Sequence, residues 1–180
     1  VYMPGWKITM LPDEVVQAYT LIEGRDCPAV SVYFTIDEAS LEVREVQTRL
    51  ERVPIAANLR HDQLDDVVTE ASLTGEAVAE YPFAAELAFA FALARQLKAR
   101  REQARGKPET FNRPDYNFRL QRPGGDSGCE PNGSETVVIT ERRRGAPLDL
   151  IVSEAMILAN SHWGGWLAAL GVPGIYRSQA

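Results

Sequence analysis

Two hydrophobic periods succeed one another along the chain, and they predict its elements. "MLPDEVVQAYTLIEG" (10–24) reads as a short helix that starts after Pro12 and ends at Gly24. Asp13 and Glu14 fall in its first turn, where acids suit the positive end of the helix dipole. From Pro28 the period drops to two. Val30, Val32 and Phe34, or else Ser31, Tyr33 and Thr35, form the inward face of a strand; Asp37–Ser40 turns, and Leu41–Pro54 returns as a long strand. Asn58–Asp62 reads as a loop, with Asp62 capping a helix over Gln63–Ala71. Pro82–Arg105 is rich in Ala, Leu, Glu, Lys and Arg, and Gly106 and Pro108 stop it, so a long helix is predicted. Its first half is apolar on nearly every side and should be buried; its second half is basic and should be exposed. Tyr116–Leu120 and Glu135–Glu141 read as two strands of a hairpin, joined by the Gly/Pro-rich loop "QRPGGDSGCEPNGS". Pro147 suits the first turn of a helix running to Leu170, with Gly171 as its stop, and "GIYRSQ" reads as the start of a further strand. The order predicts an α+β (mixed α/β) fold of antiparallel hairpins packed with long helices.

Composition narrows the class. A chain of 180 residues, 45% hydrophobic and 24% charged, is ordinary for a globular domain with a core. No apolar run reaches the roughly 18 residues of a membrane span, so no membrane partner is expected. Cys27 and Cys129 are too few for a disulfide framework and form no C-x-x-C pair, which points to reduced thiols and a cytoplasmic location. His61 and His162 form no zinc-type cluster, so no metal site is assigned. The chain opens on Val1 rather than Met, and the expectation is a fragment of a longer protein. The net charge of −6 argues weakly against a nucleic-acid partner, but the charges are segregated. His61–Ala94 carries seven acids and no Lys or Arg, whereas Arg95–Lys107 carries six basic residues and one acid. Without further context such runs read as solvated faces.

Candidate chemistry is sparse. No P-loop is present, and Ser127 in "GGDSG" lacks the strand–turn–helix setting of a nucleophile elbow. Asp65 and Asp66 are neighbours that would not face each other on a helix. Glu154, in "LDLIVSEAMILAN", stands out. On a helix it has Leu150 and Ile151 one turn before it and Ile157 and Leu158 one turn after. An unpaired carboxylate leaves water only at a cost of several kcal/mol. Three readings follow: an ion pair with an arginine such as Arg143 or Arg177, projection into a ligand site, or an exposed position if the helix phase differs. Tyr2 and Trp6 flank Pro4 and Gly5 and could stack on a base or fill a core. His61 reads first as an ordinary loop histidine.

Three blocks together carry a resemblance: "VYMPGWKITMLPDE" with the hairpin after it, "RPDYNF", and "DLIVSEAMILAN" followed by "GVPGIYR". In this order and spacing they resemble the ribonuclease II (RNB-domain) family of hydrolytic 3′-to-5′ exoribonucleases, and the resemblance covers essentially all 180 residues. It implies part of an RNB catalytic domain over 1–180, and a partner that is the 3′ end of single-stranded RNA. The family places a glutamate where Glu154 stands, hydrogen-bonded to the terminal nucleotide, and a tyrosine where Tyr2 stands, packed on the terminal base. A second family tyrosine is replaced here by His61, and the family's stacking phenylalanine is matched by Phe111 after a one-residue shift.

The same resemblance implies that the catalytic centre lies elsewhere in a parent protein. The family's aspartate cluster, spaced about D-x-x-x-x-x-D-x-D-D and holding Mg²⁺, precedes the position of Tyr2, and no stretch of this chain has that spacing. The expectation is therefore a segment with RNA-binding residues Tyr2, His61, Phe111 and Glu154, no catalytic or metal-ligating residue of its own, and Mg²⁺ as cofactor of the parent. Nucleoside 5′-monophosphates would be the product, and the isolated segment would be inactive. The competing expectations are a non-catalytic RNA-binding or scaffold protein that keeps the RNB fold, and an unrelated interaction domain.

Overall fold

The computed structural model describes residues 2–3, 6–109, 115–122, 133–142 and 145–176; for Tyr2, Met3, Trp6, Lys7, His61, Asp62, Asp115 and Arg142 it describes the backbone alone. Three two-stranded sheets and five helices are present among them, the α+β mixture that the two periods predict. The chain divides into two units. One comprises Val1–Val30, Leu50–Asn58 and Phe111–Arg144; the other comprises Ser31–Arg49, Leu59–Thr110 and Gly145–Ala180.

In the first unit, β1 (Tyr2–Met3) pairs antiparallel with β2 (Trp6–Lys7), matching Tyr2 with Lys7 and Met3 with Trp6. The first helix, α1 (Asp13–Tyr19), ends five residues before Gly24, the predicted stop. Its last carbonyls find local partners. The Thr20 hydroxyl donates to Val16 O at 2.5 Å, and Arg25 Nη2 donates to Ala18 O at 2.8 Å. Gly24, at φ 79°, instead turns the chain into the base of the next hairpin, where its N–H donates to Ile55 O at 2.8 Å. That hairpin is β3 (Asp26–Ile36) with β4 (Val43–Pro54). A second hairpin, β5 (Asp115–Gln121) with β6 (Thr136–Arg142), is antiparallel with Phe118 opposite Ile139. Just beyond its last pair, Arg122 Nε donates to Glu135 Oε1 at 2.8 Å.

The second unit holds the outer half of the β3–β4 hairpin and the remaining helices. At the hairpin tip, Asp37 Oδ1 accepts from the Ser40 N–H and hydroxyl, both at 2.9 Å. Along β3, Val32, Phe34 and Ile36 are half-buried while Tyr33 and Thr35 are exposed, so the first of the two alternations faces inward from Val32 on; Val30 itself is exposed and Ser31 is half-buried. In place of one helix over Gln63–Ala71 there are two short ones, α2 (His61–Leu64) and α3 (Glu70–Leu73). The break is local. Thr69 adopts an extended backbone and forms a reciprocal cap with Ser72, its hydroxyl accepting the Ser72 N–H at 3.2 Å and its own N–H donating to Ser72 Oγ at 3.0 Å.

Two long helices follow. The first, α4 (Ala84–Arg105), is closed by Gly106 at φ 70°; the second, α5 (Pro147–Ala169), has Pro147 in its first turn and Gly171 just past its end. They pack against each other, and α3 packs on α4. Leu64, Val68, Leu73, Phe91 and Leu148 form the core, with Leu87 and Ile151 against it. Burial of such side chains contributes roughly 1.5–3 kcal/mol each. The expected burial of the first half of α4 does not hold: Ala84, Ala85 and Phe89 are exposed. Leu87, Ala88 and Phe91 pack in or against the core, and Ala90, Leu93 and Ala94 face the space shared with β3 and α5. The basic half is not uniformly exposed either, since Arg101 is half-buried. Contacts that join the outer half of the hairpin to α4 and α5 include Gln96 Nε2 to Ser40 O at 2.6 Å, Arg100 Nη2 to Glu42 Oε1 at 3.5 Å, Trp163 Nε1 to Thr48 Oγ1 at 3.1 Å, and the Phe34 and His162 rings edge to face. The stretch 172–176 after α5 is not a strand, and 177–180 lies outside the described residues.

Candidate functional site

On α5 the sequence brings Leu148, Ile151, Glu154 and Leu158 round to one side of the helix, and the carboxylate goes inward with them. Glu154 is 2% exposed, which removes the exposed reading. Its partner is Arg101 of α4, whose Nη2 donates to Glu154 Oε1 at 2.5 Å. The sequence offered Arg143 or Arg177 for this pair; both lie outside the described residues, and the arginine that closes the gap comes from a helix expected to show its basic face to water. The same Nη2 donates to Glu109 Oε2 at 2.6 Å. One guanidinium nitrogen therefore bridges two carboxylates from different parts of the chain. The Glu109 N–H donates in turn to Glu102 Oε1 at 2.8 Å, which fixes the residue through its backbone as well.

The electrostatics follow from the geometry. The hydrogen bond to Glu154, then that to Glu109, hold the Arg101 guanidinium well above its ordinary range, against the opposing effect of burial. Arg101 in turn holds the Glu109 carboxyl below the usual range, with smaller help from Arg105 and Lys98. Arg101 Nε is buried with no partner among the described residues.

Two spaces adjoin this bridge. A cavity of about 320 Å³ lies between the α4 and α5 faces and the inward face of β3; its lining includes Phe34, Ala94, Leu97, Ala155 and Leu158, with Glu154 as the charged group in its wall. A second, open cleft of about 900 Å³ is lined by Arg101, Arg105, Glu109, Ile157, Asn160, Ser161, Gly164, Gly165 and Tyr176. Glu154, Ile157, Ser161 and Gly164 are spaced so that they form one stripe along α5. Arg101 thus joins the buried acid to a solvent-open cleft that offers two guanidiniums, a carboxylate, an amide, a hydroxyl and a phenol ring. Among the described residues no three His, Cys, Asp or Glu side chains converge to hold a metal ion, so those residues do not fit Mg²⁺.

Of the four residues singled out in the sequence, Glu154 alone has a described side chain. Tyr2 lies in β1 and His61 opens α2, but their side chains are outside the description, as is Phe111 altogether. Sequence reasoning missed Arg101 and Glu109. A signal for Arg101 existed: Leu87, Phe91, Ala94, Lys98 and Arg101 follow the alternating four-and-three spacing of an inward stripe. Glu109 had none, since it follows the helix stop.

A family model described as RNB domain matches residues 1–180. The chain belongs to the RNB-domain family. Among curated proteins it is 29% identical over 182 residues to "Exoribonuclease 2" of Haemophilus ducreyi (strain 35000HP / ATCC 700724), an alignment that covers 99% of this chain and 25% of that relative. The chain therefore spans about a quarter of the length of the curated relative it matches. No solved structure matches it. Among the described residues, no helix of this RNB segment is long and apolar enough to cross a membrane.

Proposed function

We propose that this RNB segment is part of a hydrolytic 3′-to-5′ exoribonuclease that acts on single-stranded RNA in the cytoplasm and releases nucleoside 5′-monophosphates. Within it, Glu154, Tyr2, His61 and Phe111 grip and orient the RNA 3′ end. The observation that carries the reading is the RNB match along the whole chain, beside a separate match to a relative with the printed name Exoribonuclease 2. The geometry supports it in one respect. Glu154 is a buried acid held in one orientation by Arg101, which itself lines a polar cleft, and a fixed acceptor suits recognition of a ribose hydroxyl better than a mobile surface carboxylate. The chemical step is assigned to Mg²⁺-binding residues of the parent protein other than those described here.

The test uses the full-length protein that contains this chain, with single-stranded RNA labelled at its 5′ end. Glu154→Gln keeps the shape and removes the charge. Its turnover should fall by about tenfold or more while the affinity for long RNA changes little, because many phosphates share that affinity. Wild-type turnover in the variant would remove Glu154 from the site.

A further inference from the structure

Resting on the reading of Glu154 as a contact to the RNA 3′ end, we propose that Arg101 is a positioning residue that sets the Glu154 carboxylate and couples it to the Pro108–Glu109 segment. Four observations carry this. Arg101 Nη2 is shared between Glu154 Oε1 at 2.5 Å and Glu109 Oε2 at 2.6 Å. The two acids arrive from different directions, one along α5 and the other after the stop of α4. Glu109 is additionally pinned by its N–H on Glu102, which pairs with Lys98 at 3.8 Å. Arg101 also lines the open cleft on α5, which places the bridge at the wall of that cleft.

A purely stabilising role fits this arrangement less well. Burying an ion pair gives little net stability, and apolar residues of similar volume often serve as well or better. Here the guanidinium even leaves its Nε without a partner among the described residues. What the bridge does provide is a fixed direction for one carboxylate and a mechanical tie to Glu109. A shift of Glu109 would be felt at Glu154 through a single nitrogen.

The experiment compares Arg101→Gln, Arg101→Met, Glu109→Gln and Glu154→Gln in the full-length protein. Each is first melted, then assayed on single-stranded RNA at a temperature where it is fully folded. Misplacing the scissile end of a substrate by about 1 Å can cost up to a hundredfold, so the Arg101 variants should lose about ten- to a hundredfold in kcat. KM for long RNA should stay within about threefold of wild type, because the contacts that hold the rest of the strand are untouched. Glu109→Gln loosens the other side of the same nitrogen without stranding a buried acid, so it reports even if the Arg101 variants do not fold. Its kcat should fall by a smaller factor in the same direction. If Glu154→Gln is impaired but folded Arg101 variants, or Glu109→Gln in their place, turn over at the wild-type rate, Arg101 is structural and the proposal is wrong. If Glu154→Gln itself is normal, both the proposal and the reading on which it rests fall.

Discussion

At the scale of single residues, the Arg101 bridge sets an energetic asymmetry that can be measured without any RNA. Breaking a buried pair by removing one partner costs roughly 3–5 kcal/mol, because the charge left behind cannot reach water. Glu154 is that charge: it is 2% exposed, whereas Glu109 retains about a quarter of its side-chain exposure and can be rehydrated. Arg101→Met should therefore be strongly destabilised. Arg101→Met combined with Glu154→Leu should recover most of the loss, since both buried charges are then gone and the 320 Å³ cavity beside Glu154 can take an apolar side chain. Urea unfolding of wild type, the single variant and the double variant checks this. A double variant no more stable than Arg101→Met would mean that Glu154 finds water in the folded state. The same double variant should be inactive on RNA in the full-length protein, so stability and activity separate at one pair of residues.

At the scale of elements, the hairpin tip offers a pH probe. Asp37 accepts the Ser40 backbone N–H, then the Ser40 hydroxyl, and lies 3.2 Å from Arg44, and these contacts lower its carboxyl from 3.8 to about 2. A carboxyl depressed on folding contributes stability that is complete above its unfolded value and is lost as pH falls through its folded one. The difference in stability between wild type and Asp37→Asn should thus be constant above pH 5 or so and shrink between 3.8 and about 2. Thermal melts across that window test it, and a difference independent of pH would show that the charge on Asp37 does not hold the turn. This turn was legible in the sequence, as were both long helices, because Asp37–Ser40, Gly106, Pro147 and Gly171 are local signals that do not depend on distant partners. The failures had equally local causes. Thr69 and Ser72 form a reciprocal cap without the usual acid, so α2 and α3 read as one helix. Thr20 and Arg25 closed α1 before its glycine. The Arg101–Glu154 pair was not legible because its members are 53 residues apart, and periodicity shows which face is inward but not what meets it there.

At the scale of the whole molecule, the question is what a quarter of a relative's length can do alone. Two-metal phosphodiester hydrolysis needs several carboxylates converging on ions roughly 4 Å apart. Among the described residues no three metal-ligating side chains converge. The acids nearest the candidate site are already committed: Glu154 and Glu109 to Arg101, and Glu102 to the Glu109 N–H and Lys98. Recruiting any of them to a cation would strand Arg101 or unpin Glu109. The chain also carries a net charge of −6, which does not favour capture of a polyanion. Purified Val1–Ala180 should therefore release no nucleotide from 3′-labelled single-stranded RNA in the presence of Mg²⁺, beside a full-length control that does. Folding of the isolated segment is checked by circular dichroism in the same buffer, with the signal of α4 and α5 expected. Label release that co-purifies with the segment and disappears in Glu154→Ala would place a working catalytic centre within these 180 residues and overturn its assignment to the parent. An inert, folded segment beside an active full-length protein would place the metal chemistry outside these 180 residues.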